Sequence, residues 1–248
     1  MIIAVSGKGG MGKSTLAALI VRHLTRDGQG PTLAVDADPN STLAEKLGIT
    51  AQCTIGDLRE DTLRNKSQSP AGVPKQRGLE CEVQNSIAES DGFDLLVMGR
   101  GEGPGCYCAV NNMLRTFLQD LSSGYKHVVI DNEAGIEHLS RCTNDRVDLM
   151  LVVSDQTPTG LKSAQRIAEL SAKLGLVQGR IVLVLNRADA SEDVWQQAAA
   201  ATGLEALGCV PEDPLIQDFE LRSEPLLRLP DDSPAVVAVS DILKSIGL

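Results

Sequence analysis

The sequence predicts an α/β fold: a doubly wound, mostly parallel sheet of seven or eight strands flanked by helices. Three observations carry this. Short β-rich apolar runs alternate with longer stretches of helical spacing. A glycine-dense turn follows the first run directly. Carboxylates fall where apolar runs end, and ligand sites in such sheets lie at the carboxyl ends of the strands. The 248 residues suit one large domain, 1–248, that buries its core without disulfide or metal staples.

Taken in order, the expected strands are Ile2 to Ser6, Thr32 to Asp36, Phe93 to Met98, His127 to Asp131, Leu149 to Val153, Ile181 to Leu185 and Ala206 to Val210. Each is a short apolar run bounded by turn residues. Helical spacing is clearest at Ser14 to Leu24, Asn111 to Leu121, Thr159 to Leu174 and Ser191 to Ala201, each ending near a glycine or a polar turn. Between about 50 and 90 the rhythm breaks into polar, Pro- and Gly-containing sequence with several cations, which is expected to be a variable surface insertion, with a docking surface for an acidic partner as the alternative.

Charge and composition narrow the function. The formal net charge is -10 and the sequence pI about 4.8, which argues against a broad basic face for nucleic acid or anionic lipid. Aromatic residues are 2% of the chain, too few for base-stacking platforms. No apolar run is long enough to span a bilayer, and Met1 to Val5 leads into a motif instead of a cleavable signal, so a cytoplasmic protein without nucleic-acid or membrane partners is expected. Six cysteines in such a compartment point to thiol or metal chemistry before disulfides.

The first strand runs into Gly7-Lys8-Gly9-Gly10-Met11-Gly12-Lys13-Ser14, and helix-forming sequence follows from Thr15. This is a P-loop in its strand–loop–helix context. The glycines let backbone N–H groups face phosphate oxygens, Lys13 neutralises the β and γ phosphates, and the Ser14 hydroxyl ligates Mg²⁺. Asp36 and Asp38 end the second strand. Carboxylates here are placed to order Mg²⁺ or the attacking water, with Asp36 the candidate for a supporting carboxylate. Asp131-Asn132-Glu133-Ala134-Gly135 has the D-x-x-G form of a switch: Asp131 reaches Mg²⁺ through water, and the Gly135 N–H senses the γ-phosphate. Asn186, with Arg187-Ala188-Asp189, stands where the purine is read. Asp189 brings the segment close to the guanine-reading N-K-x-D pattern.

Two lysines in one loop, Lys8 and Lys13, cannot share a position in the same cradle. The pattern resembles the deviant P-loop of the family that includes the nitrogenase iron protein and the MinD and ParA ATPases. That resemblance implies a homodimer closed by ATP, in which Lys8 reaches the partner's phosphate as an arginine finger does. It favours ATP over GTP and places adenine against Pro211 and Glu212. It also makes Asp38 the candidate to orient the attacking water, since Asp38 resembles the aspartate before proline in switch I of these ATPases.

The strand ending at Met98 empties into Gly99-Arg100-Gly101-Glu102-Gly103-Pro104-Gly105-Cys106-Tyr107-Cys108. Two cysteines one residue apart leave a thiophilic metal short of ligands, and a two-fold axis would supply two more. The thiolates suit zinc, nickel or an iron–sulfur cluster. Of the other cysteines, Cys209 reads as core, while Cys53, Cys81 and Cys142 lack ligand spacing.

From Gly92 through Asn112, and again from Asp131 to Leu139, the sequence resembles the CooC-type maturation ATPases of carbon monoxide dehydrogenase. The resemblance is weakest at 50 to 90. It implies ATP/ADP and Mg²⁺ in the P-loop, Ni²⁺ or Zn²⁺ at the paired Cys106 and Cys108, and delivery of nickel to apo carbon monoxide dehydrogenase or a related nickel enzyme. The alternatives are a nickel-handling GTPase and an iron–sulfur reductase like the nitrogenase iron protein. A partition ATPase would want a basic face. A MinD-like positioning ATPase would want a basic amphipathic tail, whereas 235–244 has one lysine.

Overall fold

The structure is a computed structural model describing residues 1–26, 28–38, 40–64, 83–99, 124–133, 147–188 and 191–248, the side chains of 59, 61–64 and 192 excepted. Eight strands form one sheet: β1 (Ile2–Gly7), β2 (Thr32–Ala37), β3 (Ala88–Ser90), β4 (Phe93–Val97), β5 (His127–Asn132), β6 (Val147–Ser154), β7 (Val177–Asn186) and β8 (Glu205–Val210). Their order is β3-β4-β2-β5-β1-β6-β7-β8. All neighbours are parallel except β3 and β4. The described helices are α1 (Lys13–Arg26), α2 (Thr42–Leu47), α3 (Ile55–Arg64), α4 (Pro158–Lys173), α5 (Glu192–Thr202), α6 (Pro214–Leu221) and α7 (Pro234–Ser245), with a 3₁₀ turn at Leu226–Arg228. Among the described residues no helix is long and apolar enough to cross a membrane.

Period-2 alternation splits the strand side chains between two faces. Ile3, Val5, Ala34, Leu95, Val97 and Val129 face α1, α2 and α7. Leu33, Val35, Leu96, Val128 and Ile130 face α3, while Ala4, Met150, Val152, Leu183 and Leu185 face α4 and α5. Strands buried on both faces are what a parallel sheet requires, and they explain the continuous apolar runs. α1 is buried over most of its circumference, from Leu16 to Leu24, because α2, α7 and the 3₁₀ turn pack around it against the sheet.

All seven expected strands are present. β7 starts four residues before the expected Ile181, as an exposed extension. The stretch from 50 to 90 contributes more than surface: α3 covers one sheet face, and β3 adds an antiparallel edge strand. Residues 65–82 of that stretch, and the helix expected at Asn111 to Leu121, lie outside the described residues. Periodicity had not marked α2, α6 or α7. The first two have six and eight residues, too short for a clear 3.6 period. α7 is longer, with Ser233 as its N-cap and Pro234 at its first turn.

Candidate nucleotide site

The chain leaves the sheet centre at Gly7 and enters α1 at Lys13. Gly10 and Gly12 have φ of 80° and 85°, a region that glycine occupies without strain. A Cβ on Gly12 would also lie 2.1 Å from Asn186 Nδ2, and one on Gly7 2.5 Å from the Val153 carbonyl oxygen. Lys8, Gly9 and Gly10 are exposed, Met11 and Gly12 half-buried, and Lys13 buried. Loop and helix therefore present the two lysines differently: Lys13 is seated in the site, while Lys8 stands at the outer surface.

Asn186, at the end of β7, donates from Nδ2 to the Met11 carbonyl at 2.8 Å. The residue expected to read the base thus also braces the loop, and its amide still carries a second N–H and a carbonyl oxygen. Pro211 is half-buried and Glu212 exposed just after β8. The neighbouring Asp213 is structural: buried, it accepts from Leu215 N at 3.0 Å and Ala235 N at 3.2 Å and from the Ser233 hydroxyl. It binds the start of α6 to the start of α7.

Asp36 and Asp131 are register neighbours on β2 and β5, both fully buried. By alternation both point to the face of α1 and α2. Asp36 Oδ2 accepts from Leu43 N at 2.9 Å and Ala44 N at 3.0 Å, capping α2, and Oδ1 accepts from Asp38 N at 3.2 Å. Burial raises its pKa to about 6, against the lowering by these N–H groups, and the charge of Asp38 raises it further. Asp36 is thus committed to backbone N–H groups of α2 and of its own turn. Asp131 is different, because among the described residues neither of its oxygens has a partner within hydrogen-bond geometry, with the Ser14 hydroxyl the nearby donor. Burial pushes its pKa up to about 7; the nearby Ser14 hydroxyl and Lys13 ammonium favour the charged form, and Asp36 and Asp38 oppose it. The Ser14 hydroxyl makes its hydrogen bond with Thr42 Oγ1, at 2.8 Å.

A buried carboxylate without donors is costly unless a cation joins it. Beside a P-loop serine and lysine, Asp131 supplies the hard oxygen that a hydrated Mg²⁺ accepts, so the donor set fits that ion. Asp38 is half-buried. Its Oδ1 accepts from Asn40 N at 2.8 Å and Asn40 Nδ2 at 3.0 Å, a turn that fixes the carboxylate at the mouth of the site.

Four contributors escaped the sequence reading. Thr42 holds Ser14; Asp213 ties α6 to α7; Glu220 accepts from Thr15 Oγ1 at 3.4 Å; and Lys46 pairs with Glu220. Asp213-Pro214 and Ser233-Pro234, each an N-cap residue followed by proline, were the legible signals for α6 and α7. The other pairings carry no sequence signal. Gly135, Asp189, Cys81, Cys106, Cys108 and Cys142 lie outside the described residues. Cys209 is buried as expected, and Cys53 is half-buried. Among the described residues no cluster of three or more His, Cys, Asp or Glu side chains could hold a metal ion.

Residues 2–226 match the model of the CobQ/CobB/MinD/ParA nucleotide-binding domain. An uncharacterized ATP-binding protein of Methanocaldococcus jannaschii is 40% identical over 249 aligned residues, covering 99% of this chain and 98% of that protein. The carbon monoxide dehydrogenase accessory protein CooC of Rhodospirillum rubrum is 32% identical, with 88% of this chain and 86% of CooC covered. Among solved structures, the MinD cell division protein of Aquifex aeolicus superposes with a TM-score of 0.72 at 22% identity, covering 99% of this chain and 96% of that one. The last similarity establishes the fold.

Proposed function

The chain belongs to the CobQ/CobB/MinD/ParA nucleotide-binding family of P-loop ATPases, and from that premise we propose that it is a dimerising maturation factor that uses ATP to deliver nickel to carbon monoxide dehydrogenase or a related nickel enzyme. The observation that carries this reading is the relation to CooC along most of the chain, in a sequence that holds the pair Cys106 and Cys108.

In this reading, backbone N–H groups from Gly9 to Thr15 cradle the phosphates, and Lys13 takes up charge on the β and γ groups. Ser14 and Asp131 would hold Mg²⁺, and the ion would neutralise phosphate charge. Asp38 orients a water that adds to the γ-phosphorus while the bond to the β–γ bridging oxygen breaks, giving ADP and inorganic phosphate. Lys8 of each protomer serves the other's site. Asn186, Pro211 and Glu212 surround the base, and Gly135 reports the γ-phosphate. Two Cys106–Cys108 pairs meeting across the dimer make a four-thiolate seat for nickel as cargo, with zinc as the competing occupant.

The test is anaerobic nickel and zinc titration with light scattering, in ADP and in ATP, on wild type and the double variant Cys106→Ala/Cys108→Ala. About one metal per dimer, lost in the variant, is the expected result. Dimerisation without metal and unchanged in the variant would leave an ATPase that is not a metal carrier.

A further inference from the structure

Two consecutive hydroxyls at the start of α1 are tied to different helices. Ser14 is bonded to Thr42 on α2, and Thr15 donates to Glu220 in the last turn of α6. Glu220 also pairs with Lys46 of α2. We propose that Glu220 is a positioning residue for the nucleotide, a carboxylate that competes with the phosphate chain for Thr15 and links that contact to α2 and α6. The proposal rests on the nucleotide-site reading above and concerns the control of affinity there.

The chemistry follows from like charge. A carboxylate 3.4 Å from the Thr15 hydroxyl sits where the phosphate-cradling turn begins, and polyphosphate and carboxylate seek the same proton. Lys46 offsets part of that repulsion by neutralising Glu220. α6 amplifies the contact, because none of its residues is fully buried. It is anchored at its first residue by the Asp213 network and near its last by Glu220. A phosphate oxygen that accepts the Thr15 hydrogen bond leaves Glu220 to Lys46 alone, loosening the tie between α6 and the first turn of α1.

The experiment measures Mg-ATP and Mg-ADP affinity by calorimetry for wild type, Lys13→Ala, Glu220→Gln and Lys46→Met, at low salt and at about 0.5 M salt. Glu220→Gln should bind both nucleotides about two- to fivefold more tightly and Lys46→Met more weakly by a similar factor, as befits a half-exposed charge pair. Both shifts should shrink in high salt, which a purely structural role would not produce. If Lys13→Ala abolishes binding while Glu220→Gln matches or falls below wild type, the role of Glu220 is overturned and the nucleotide site stands. If wild type binds neither nucleotide, both readings fall.

Discussion

Placing two carboxylates side by side in the interior, as Asp36 and Asp131 are, opposes folding whenever both are charged. Their pKa values of about 6 and about 7 lie above the ordinary 3.8, so the folded chain retains protons that the unfolded chain has released. The stability this contributes is complete below about pH 4 and is lost as pH rises through the two folded values. In EDTA, the contribution of this pair should therefore lower the melting temperature between about pH 5 and pH 8. Asp131→Asn should flatten that fall and melt higher at the alkaline end. The variant should also lose the stabilisation that Mg-ATP gives wild type, because its amide cannot hold the ion's hydration shell as a carboxylate does. An unchanged pH profile in thermal melts of Asp131→Asn would contradict this account. At Gly12 the constraint is steric: an alanine would need φ near 85° and would meet Asn186 Nδ2 at 2.1 Å. Strain of about 1–3 kcal/mol should displace Asn186 or the loop. Mg-ATP affinity should then fall about tenfold or more, read by the same calorimetry.

At the scale of elements, buried caps add to the apolar faces that hold the helices around the site. Asp213 is the clearest case, since one carboxylate serves the starts of both α6 and α7. Asp213→Ala should lower stability by about 2–3 kcal/mol in urea unfolding, as expected for a buried acceptor with several donors. Ser233→Ala, which removes one donor, should cost about 1 kcal/mol. Equal losses would mean that the network is not centred on the carboxylate. The same elements show what the sequence could disclose. The central strands are buried on both faces and the others over their carboxyl-terminal halves, so each of the seven expected strands appears as an apolar run between turns, and α1 is marked by the P-loop before it. Lys13, Ser14, Asp36 and Asp131 could be singled out as candidates because a glycine loop or a strand end places each of them without tertiary help. The ties from Thr42 to Ser14, and from Lys46 and Glu220 to Thr15, join residues far apart in sequence through surface side chains of no special pattern. β3 escaped for a related reason: three residues at an antiparallel edge give too little alternation to read.

At the scale of the whole molecule, the proposed dimer would divide the reaction between protomers through the two lysines of the loop. Lys13 is buried in its own site, whereas Lys8 is exposed on the strand-end surface, where a second copy facing this one would receive it. A cation supplied in trans to phosphoryl transfer contributes about 10³–10⁵ in rate in the comparable arginine case, and Lys8→Ala should cost ATP turnover at least the lower part of that range. Binding of a single Mg-ATP per protomer should survive, since Lys13, Ser14 and Asp131 remain. Asp38→Asn should also be inactive, for a different reason: its own site cannot orient water, yet its Lys8 can still serve a partner. Mixing the two inactive variants is therefore decisive. In a mixed dimer, the site of the Lys8→Ala protomer keeps Asp38 and receives Lys8 from its partner, so it is competent, while the other site lacks both. Random pairing makes half the dimers mixed with one working site each, so an equimolar mixture should recover about a quarter of wild-type turnover. Recovery near zero, with mixed dimers present by light scattering, would place Lys8 in its own site and remove the need for a partner in hydrolysis.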